Sequence, residues 1–154
     1  MGFPAGIVEL VDILSQMGVE EAVICPGSRN APLMLALVRH PKIHCYSISD
    51  ERSAGFFGLG LVLANKKPVI LCCTSGSAGL NFAPSVVEAF FQELPLLVFT
   101  ADRPLEWIGQ WDGQTIYQKE LYGKHVKQFI DFPTDELQKP EYYISVKRPF
   151  VSLI

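Results

Sequence analysis

The sequence predicts an α/β domain: a doubly wound, mainly parallel sheet with helices on both faces. Two observations predict it. Short runs rich in Val, Ile, Leu and Cys alternate four times with stretches of helical periodicity, and that alternation specifies parallel strands joined by crossover helices. The runs also lack polar alternation, as strands covered on both faces do.

The elements follow in order. Ile7, Leu10, Val11 and Leu14 recur at helical spacing, so the chain opens with an amphipathic helix. Residues 21–25 form strand one and end at Pro26-Gly27. Residues 32–39 form a helix that stops before Pro41, because a residue preceding proline avoids the α region. Strand two spans 43–48. A helix over 50–65 carries acids in its first turn, and strand three spans 68–73. One helix covers 78–91, with Ala83, Val86, Val87 and Phe90 on one face, and strand four is 96–100. Residues 104–133 scatter Trp107, Trp111, Tyr117, Tyr122 and Phe129 among polar residues, which reads as irregular structure or short helix. The domain is expected to span 1–133, with 134–154 a tail that completes no element.

A length of 154 residues favours one domain. At 49% hydrophobic and 19% charged, the chain needs a large core or a large covered interface. A net charge of -3 provides no basic field, which argues against a nucleic-acid partner. The longest apolar run, Ala54 to Ala64, is 11 residues and contains three glycines, whereas a membrane-spanning helix needs about 20 residues. The start has no basic n-region, and Glu9 and Asp12 interrupt its apolar stretch, so no signal peptide is expected and the cytoplasm is the expected compartment. Cys25, Cys45, Cys72 and Cys73 form no CxxC pair and read as small buried hydrophobes in a reducing environment. Pro41 between His40 and His44 prevents a shared helix face, and no metal ligand set is assigned.

Ligands of parallel sheets bind outside the carboxyl ends of the strands. Those ends carry Pro26-Gly27-Ser28-Arg29, Ser49-Asp50-Glu51-Arg52, Thr74-Ser75-Gly76-Ser77 and Ala101-Asp102-Arg103-Pro104. Each turn alone has a purely structural explanation. Pro26-Gly27 serves as a turn, Asp50 and Glu51 complement a helix dipole, residues 74–77 cap a helix, and Arg103 is either a solvated surface cation or paired with neighbours of Asp102. Four such turns on one edge nevertheless define a candidate site. No GxxxxGK[ST] loop is present. Gly55, Gly58 and Gly60 lie within a helix, where close packing on the sheet is their expected role.

The runs CPGSRNAPL (25–33), SDERSAGFFGLGLVLA (49–64), VILCCTSGSAGLNFAPSVVEA (69–89) and LLVFTADRP (96–104) resemble the pyrimidine-binding domain of thiamine-diphosphate enzymes, over roughly residues 5–133. Within that family they are most similar to the menaquinone-biosynthetic branch. The resemblance implies that Glu51 contacts N1′ of the cofactor's aminopyrimidine and assists removal of the thiazolium proton. It implies that Pro26, Gly27, Thr74, Ser75 and Gly76 approach the cofactor, and that Ser28, Arg29, Arg103 and Gln114 contact substrate. It further implies a transferase that decarboxylates 2-oxoglutarate and joins the product to isochorismate; both are carboxylates, which suit guanidinium forks. Thiamine diphosphate is the implied cofactor. Its Mg²⁺ would be held by a GDG-type motif, and here Asp112-Gly113 stands alone. The implied chain is therefore a fragment, inactive by itself, whose partners are its own further domains and a second subunit of a homo-oligomer. Two departures are Gly113, where the family commonly has Asn, and Asn30, where Ser is common. Two alternatives remain open: another thiamine-diphosphate decarboxylase or synthase of a different 2-oxo acid, and a non-catalytic α/β domain that binds an anion on the same edge.

Overall fold

The structure, a computed structural model, describes residues 5–132. The expected domain end at 133 and the tail 134–154 lie outside the described residues. The elements run α1 (Ala5–Gln16), β1 (Glu21–Ile24), α2 (Ala31–Arg39), β2 (His44–Ser47), α3 (Glu51–Asn65), β3 (Val69–Cys73), α4 (Ser77–Asn81), α5 (Ala83–Phe91) and β4 (Leu96–Thr100). Two short 3-10 turns follow, at Leu105–Trp107 and Gly123–His125. No helix among the described residues is long and apolar enough to cross a membrane.

The four strands lie in the order β2-β1-β3-β4, and all pairings are parallel. Ile24 is in register with both Ser47 and Cys72, and Cys73 with Thr100. Successive strand side chains point to opposite faces, which divides the core in two. Ala22, Ile24, Ile70 and Cys72 pack with Leu10, Val11, Leu14 and Leu37 of α1 and α2. Val23, Leu71 and Cys73 pack with Ala54 and Val62 of α3 and with Phe82 and Val86 on the opposite side. The sheet is therefore doubly wound. Chain direction across it reverses between β1 and β3, and the crevice for a ligand opens at such a reversal.

Two expectations need correction. The predicted single helix over 78–91 is two, α4 and α5, meeting at Phe82. Pro84 has no N–H to continue the ladder and is tolerated only in a first turn, so α5 restarts there, with Val86 N donating to Phe82 O at 3.0 Å. The expectation that every strand is covered on both faces fails at β2, whose His44 and Ser47 are exposed. β2 is an edge strand, and its side chains are served by neighbours instead: the Tyr46 ring meets those of His44 and Phe57 at 4.6 and 5.0 Å between centroids.

The stretch after β4 is irregular, as expected, yet it packs. Tyr122 and Val126 close on the α3 side, whereas Ile130 and Phe132 close on the α1 side beside Leu97 and Phe99. It thus wraps past the β4 edge and touches both cores. The three glycines of α3 behave differently from one another. A Cβ on Gly55 would overlap Ser85 of α5, and one on Gly58 would lie 2.6 Å from Leu71 Cδ2 in the sheet. Gly60 has open space around it, so its expected packing role is not found among the described residues.

Gly58→Ala should therefore destabilise the fold by about 1–3 kcal/mol, the usual cost of overpacking where the neighbour is fully buried. Gly60→Ala should stabilise it by about 0.5–1 kcal/mol, since alanine replaces glycine inside a helix without a clash. Thermal unfolding of the two variants checks the pair; equal shifts in one direction would contradict the packing described.

Candidate functional site

The turns after β1 and β3 are pressed together. Cys25 N donates to Cys72 O at 2.8 Å, prolonging the ladder by one residue. At the next step, a Cβ on Gly27 would overlap the Thr74 side chain. Only glycine lets the backbone at 26–27 pass this close to Thr74. Asn30 fastens the same turn from below. It is 1% exposed, and its Nδ2 donates to Cys25 O at 3.0 Å and lies 3.5 Å from Cys72 Sγ. Asn30 makes no side-chain cap on α2, although its place before a proline-led helix suggests one. Ser28 and Arg29 project outward and are exposed. Arg29 has no hydrogen bond or ion pair among the described residues.

Glu51 opens α3. The preceding Asp50 caps the helix by accepting from Ser53 N at 2.7 Å, and these hydrogen bonds hold its carboxyl below the usual range. Glu51 is half-buried and has no hydrogen-bond or salt-bridge partner among the described residues. Its position shows in the thiols around it. Burial first, then the Glu51 charge, push the Cys25 thiol up to about 12. Burial, Cys72, Cys25 and Glu51, in that order, raise Cys73. The Glu51 charge, unpaired among the described residues, thus acts on thiols at the adjoining ends of β1 and β3.

The third and fourth turns are bound together by the segment after β4. Gly76 sits at φ +82°, and a Cβ there would run into Gln114 O. Gln114 itself has φ +66°, and its carbonyl accepts from Ser77 N at 3.2 Å. Gln114 Nε2 donates to Ser75 O at 3.1 Å. Arg103 is 8% exposed, which corrects the reading of it as a solvated cation. Its Nη2 donates to Gly113 O at 2.7 Å and lies 3.4 Å from Asp112 Oδ2, while Nη1 lies 3.5 Å from Ser75 Oγ. The Arg103 Nε is buried without a partner. Gln118, 7% exposed, accepts from Gly76 N at 2.5 Å and donates to Ala101 O at 2.8 Å.

Of the residues singled out in the sequence, Gly27, Thr74 and Glu51 gather at the ends of β1 and β3, with Pro26 exposed beside them. Ser75, Gly76, Arg103 and Gln114 form one linked cluster over β3 and β4. Ser28 and Arg29 are exposed on the first turn and share no side-chain hydrogen bond with that cluster among the described residues. Two buried polar residues, Asn30 and Gln118, do not stand out in the sequence as parts of the site. Gln118 in particular is one of several polar residues in an aromatic-rich segment, and its partner Gly76 lies 42 positions away.

Residues 8–126 match the thiamine pyrophosphate enzyme family, N-terminal TPP binding domain. The chain belongs to that family. Several relatives carry the name 2-succinyl-5-enolpyruvyl-6-hydroxy-3-cyclohexene-1-carboxylate synthase. The protein of that name from Bacteroides fragilis is 47% identical over 137 residues, 89% of this chain and 25% of the relative. The one from Cytophaga hutchinsonii is 52% identical over 129 residues, 84% of this chain and 23% of the relative. The one from Geobacillus kaustophilus is 51% identical over 127 residues, 82% and 22%. The chain thus spans about a quarter of the length of the curated relatives it matches.

The buried thiols give a pH signature. The Cys25 thiol has an ordinary value of 9.0 when unfolded and about 12 when folded. As pH rises past 9 the unfolded chain releases this proton first, so the stabilisation present below 9 is lost as pH climbs towards 12. The urea midpoint should fall over that window, and less steeply in Cys25→Ala. In parallel, iodoacetamide at pH 8 should leave Cys25 unlabelled in the folded protein and label it in urea, because the thiolate is the nucleophile. Rapid native labelling of Cys25 would contradict its burial.

Proposed function

We propose that the chain is the pyrimidine-binding part of a thiamine-diphosphate-dependent synthase. The whole enzyme decarboxylates 2-oxoglutarate and joins the resulting four-carbon unit to isochorismate, a C–C bond-forming transferase reaction of menaquinone biosynthesis. The observation that carries this reading is Glu51, a half-buried carboxyl at the start of α3 that has no counter-ion among the described residues. The name shared by relatives about half identical supports the particular reaction.

The residues present suit the cofactor's pyrimidine end. Glu51 offers a carboxyl unpaired among the described residues, Gly27 lets the first turn pass close to the Thr74 side chain, and Thr74 to Gly76 form the turn after β3. When bound, thiamine diphosphate supplies an acidic carbon that becomes a nucleophile and an electron sink for decarboxylation. With the cofactor bound, Glu51 would hold or move a proton at its carboxyl oxygen. The surrounding thiols, raised by burial, stay neutral and do not compete for that proton. Ser28 and Arg29 face outward with free donors. A guanidinium there forms a bidentate pair with a substrate carboxylate. Arg103 and Gln114 belong to the linked cluster over β3 and β4, and the buried Arg103 Nε is a donor without an acceptor among the described residues.

The diphosphate and Mg²⁺ belong, in this reading, to residues outside this chain and to a second subunit of a homo-oligomer. The exposed apolar side chains Phe56, Phe57 and Leu63 on α3 and Phe90 and Phe91 on α5 support such covering contacts. All four thiols are free, which fits a reducing cytoplasm.

In the full-length protein, Glu51→Gln should lower kcat by about 10²–10⁴-fold, the usual worth of a positioned acid or base, with unchanged thermal stability. Arg29→Ala should raise a substrate KM by roughly ten- to a hundredfold and leave cofactor affinity intact. Steady-state kinetics and cofactor titration check both. Near wild-type turnover of the Glu51 variant would refute the assignment.

A further inference from the structure

We propose that Gln118 is a positioning residue for substrate: its side-chain amide fastens the turn after β3 to the end of β4 and thereby fixes where Gln114 and Arg103 stand. The proposal rests on the functional reading above. Gln118 is almost wholly buried, although its neighbours Tyr117, Lys119 and Glu120 are exposed. Both ends of its amide are engaged. Oε1 accepts from Gly76 N at 2.5 Å, and Nε2 donates to Ala101 O at 2.8 Å and lies 3.3 Å from Thr100 Oγ1. One group thus meets a donor on the third turn and an acceptor on the fourth, and no other side-chain type of that length supplies an acceptor and an NH₂ donor together.

The linkage passes to the proposed binding residues. Gly76, held by Gln118, presses against Gln114 O, and Ser77 N donates to the same carbonyl. Gln114 reaches back to Ser75 O, and Arg103 holds Gly113 O. The segment 112–114 has no regular hydrogen-bond ladder of its own, so its place is set by these contacts. Two of them end on Ser75 or Ser77, the residues on either side of the Gly76 that Gln118 fixes. Loss of the Gln118 amide leaves the Gly76 N–H and Ala101 C=O buried without a partner, which favours movement of the turn towards water. Substrate contacts would then loosen, while Glu51, on α3, keeps its place.

The test uses the full-length protein and Gln118→Met, which keeps the length and removes the donor and acceptor. The expected result is a KM for 2-oxoglutarate or isochorismate raised about tenfold, with kcat changed less than about threefold. Amide hydrogen exchange should quicken at Gly76 and Ser77 and stay slow in β1 and β3. A kcat loss without a KM change, or an unchanged KM despite faster exchange, would overturn the positioning role. Unchanged exchange at Gly76 would overturn the clamp itself. If wild-type protein consumes neither substrate, the functional reading fails, and the exchange experiment still decides whether Gln118 holds the turn. Should Gln118→Met not fold, Gln118→Glu keeps an acceptor for Gly76 N and loses the donor to Ala101; the same measurements apply to it.

Discussion

Gly27 and Thr74 leave no room for a further atom between them. A Cβ on Gly27 would overlap the Thr74 side chain, so the backbone after β1 and the turn after β3 meet where the sheet reverses direction. Two features gather around that contact. From below, Asn30 ties the first turn to the strand ends through Cys25 O. From the side, α3 brings Glu51 to the same strand ends, close enough for its charge to act on Cys25 and Cys73. The helix reaches this position because Gly55 and Gly58 let it lie tightly on α5 and β3. Close packing of backbone, enforced by absent side chains, thus places the one carboxyl that matters for the proposed chemistry.

The wall opposite is built differently. It has no regular element beyond two 3-10 turns, and polar contacts hold it: Arg103 to Gly113, Gln114 to Ser75, Gln118 to Gly76 and Ala101. A buried amide, Gln118, and a buried guanidinium, Arg103, hold this wall beside the apolar contacts of Tyr122, Val126, Ile130 and Phe132. Such a wall is specific in geometry, because each donor must meet its acceptor, and it is also easier to open than a packed helix.

The sheet was legible in the sequence because its signals are local. The runs at 22–25, 69–73 and 96–99 are apolar along their length, and the turns that follow carry Gly, Ser, Thr and Arg. The edge character of β2 was partly visible in its residues His44-Cys45-Tyr46-Ser47, which contain no Val, Ile or Leu. The break at Phe82 was visible too, since Pro84 cannot continue a helix; the apolar face shared by Ala83, Val86 and Phe90 obscured it. Asn30 and Gln118 were not legible as parts of the site. Gln118 meets Gly76, 42 positions away, and Asn30 meets Cys25 O, five positions away, as well as Cys72 Sγ, 42 positions away; no local pattern marks a polar residue that will be buried by such contacts. Arg103 is similar: the ADRP run drew attention to it, but its burial depends on a segment folding back from residues 112–114.

The Gly27–Thr74 contact can be measured directly as a coupling energy. Gly27 has an ordinary backbone conformation, so Gly27→Ala adds a clash and no backbone strain. Urea unfolding of Gly27→Ala, Thr74→Gly and the double variant gives the cycle. The account predicts that Gly27→Ala alone costs about 1–3 kcal/mol and that Thr74→Gly in the same chain restores at least about 1 kcal/mol of it. Strictly additive losses would show that the two turns do not meet as described, and would remove the physical basis for placing a cofactor between them and Glu51.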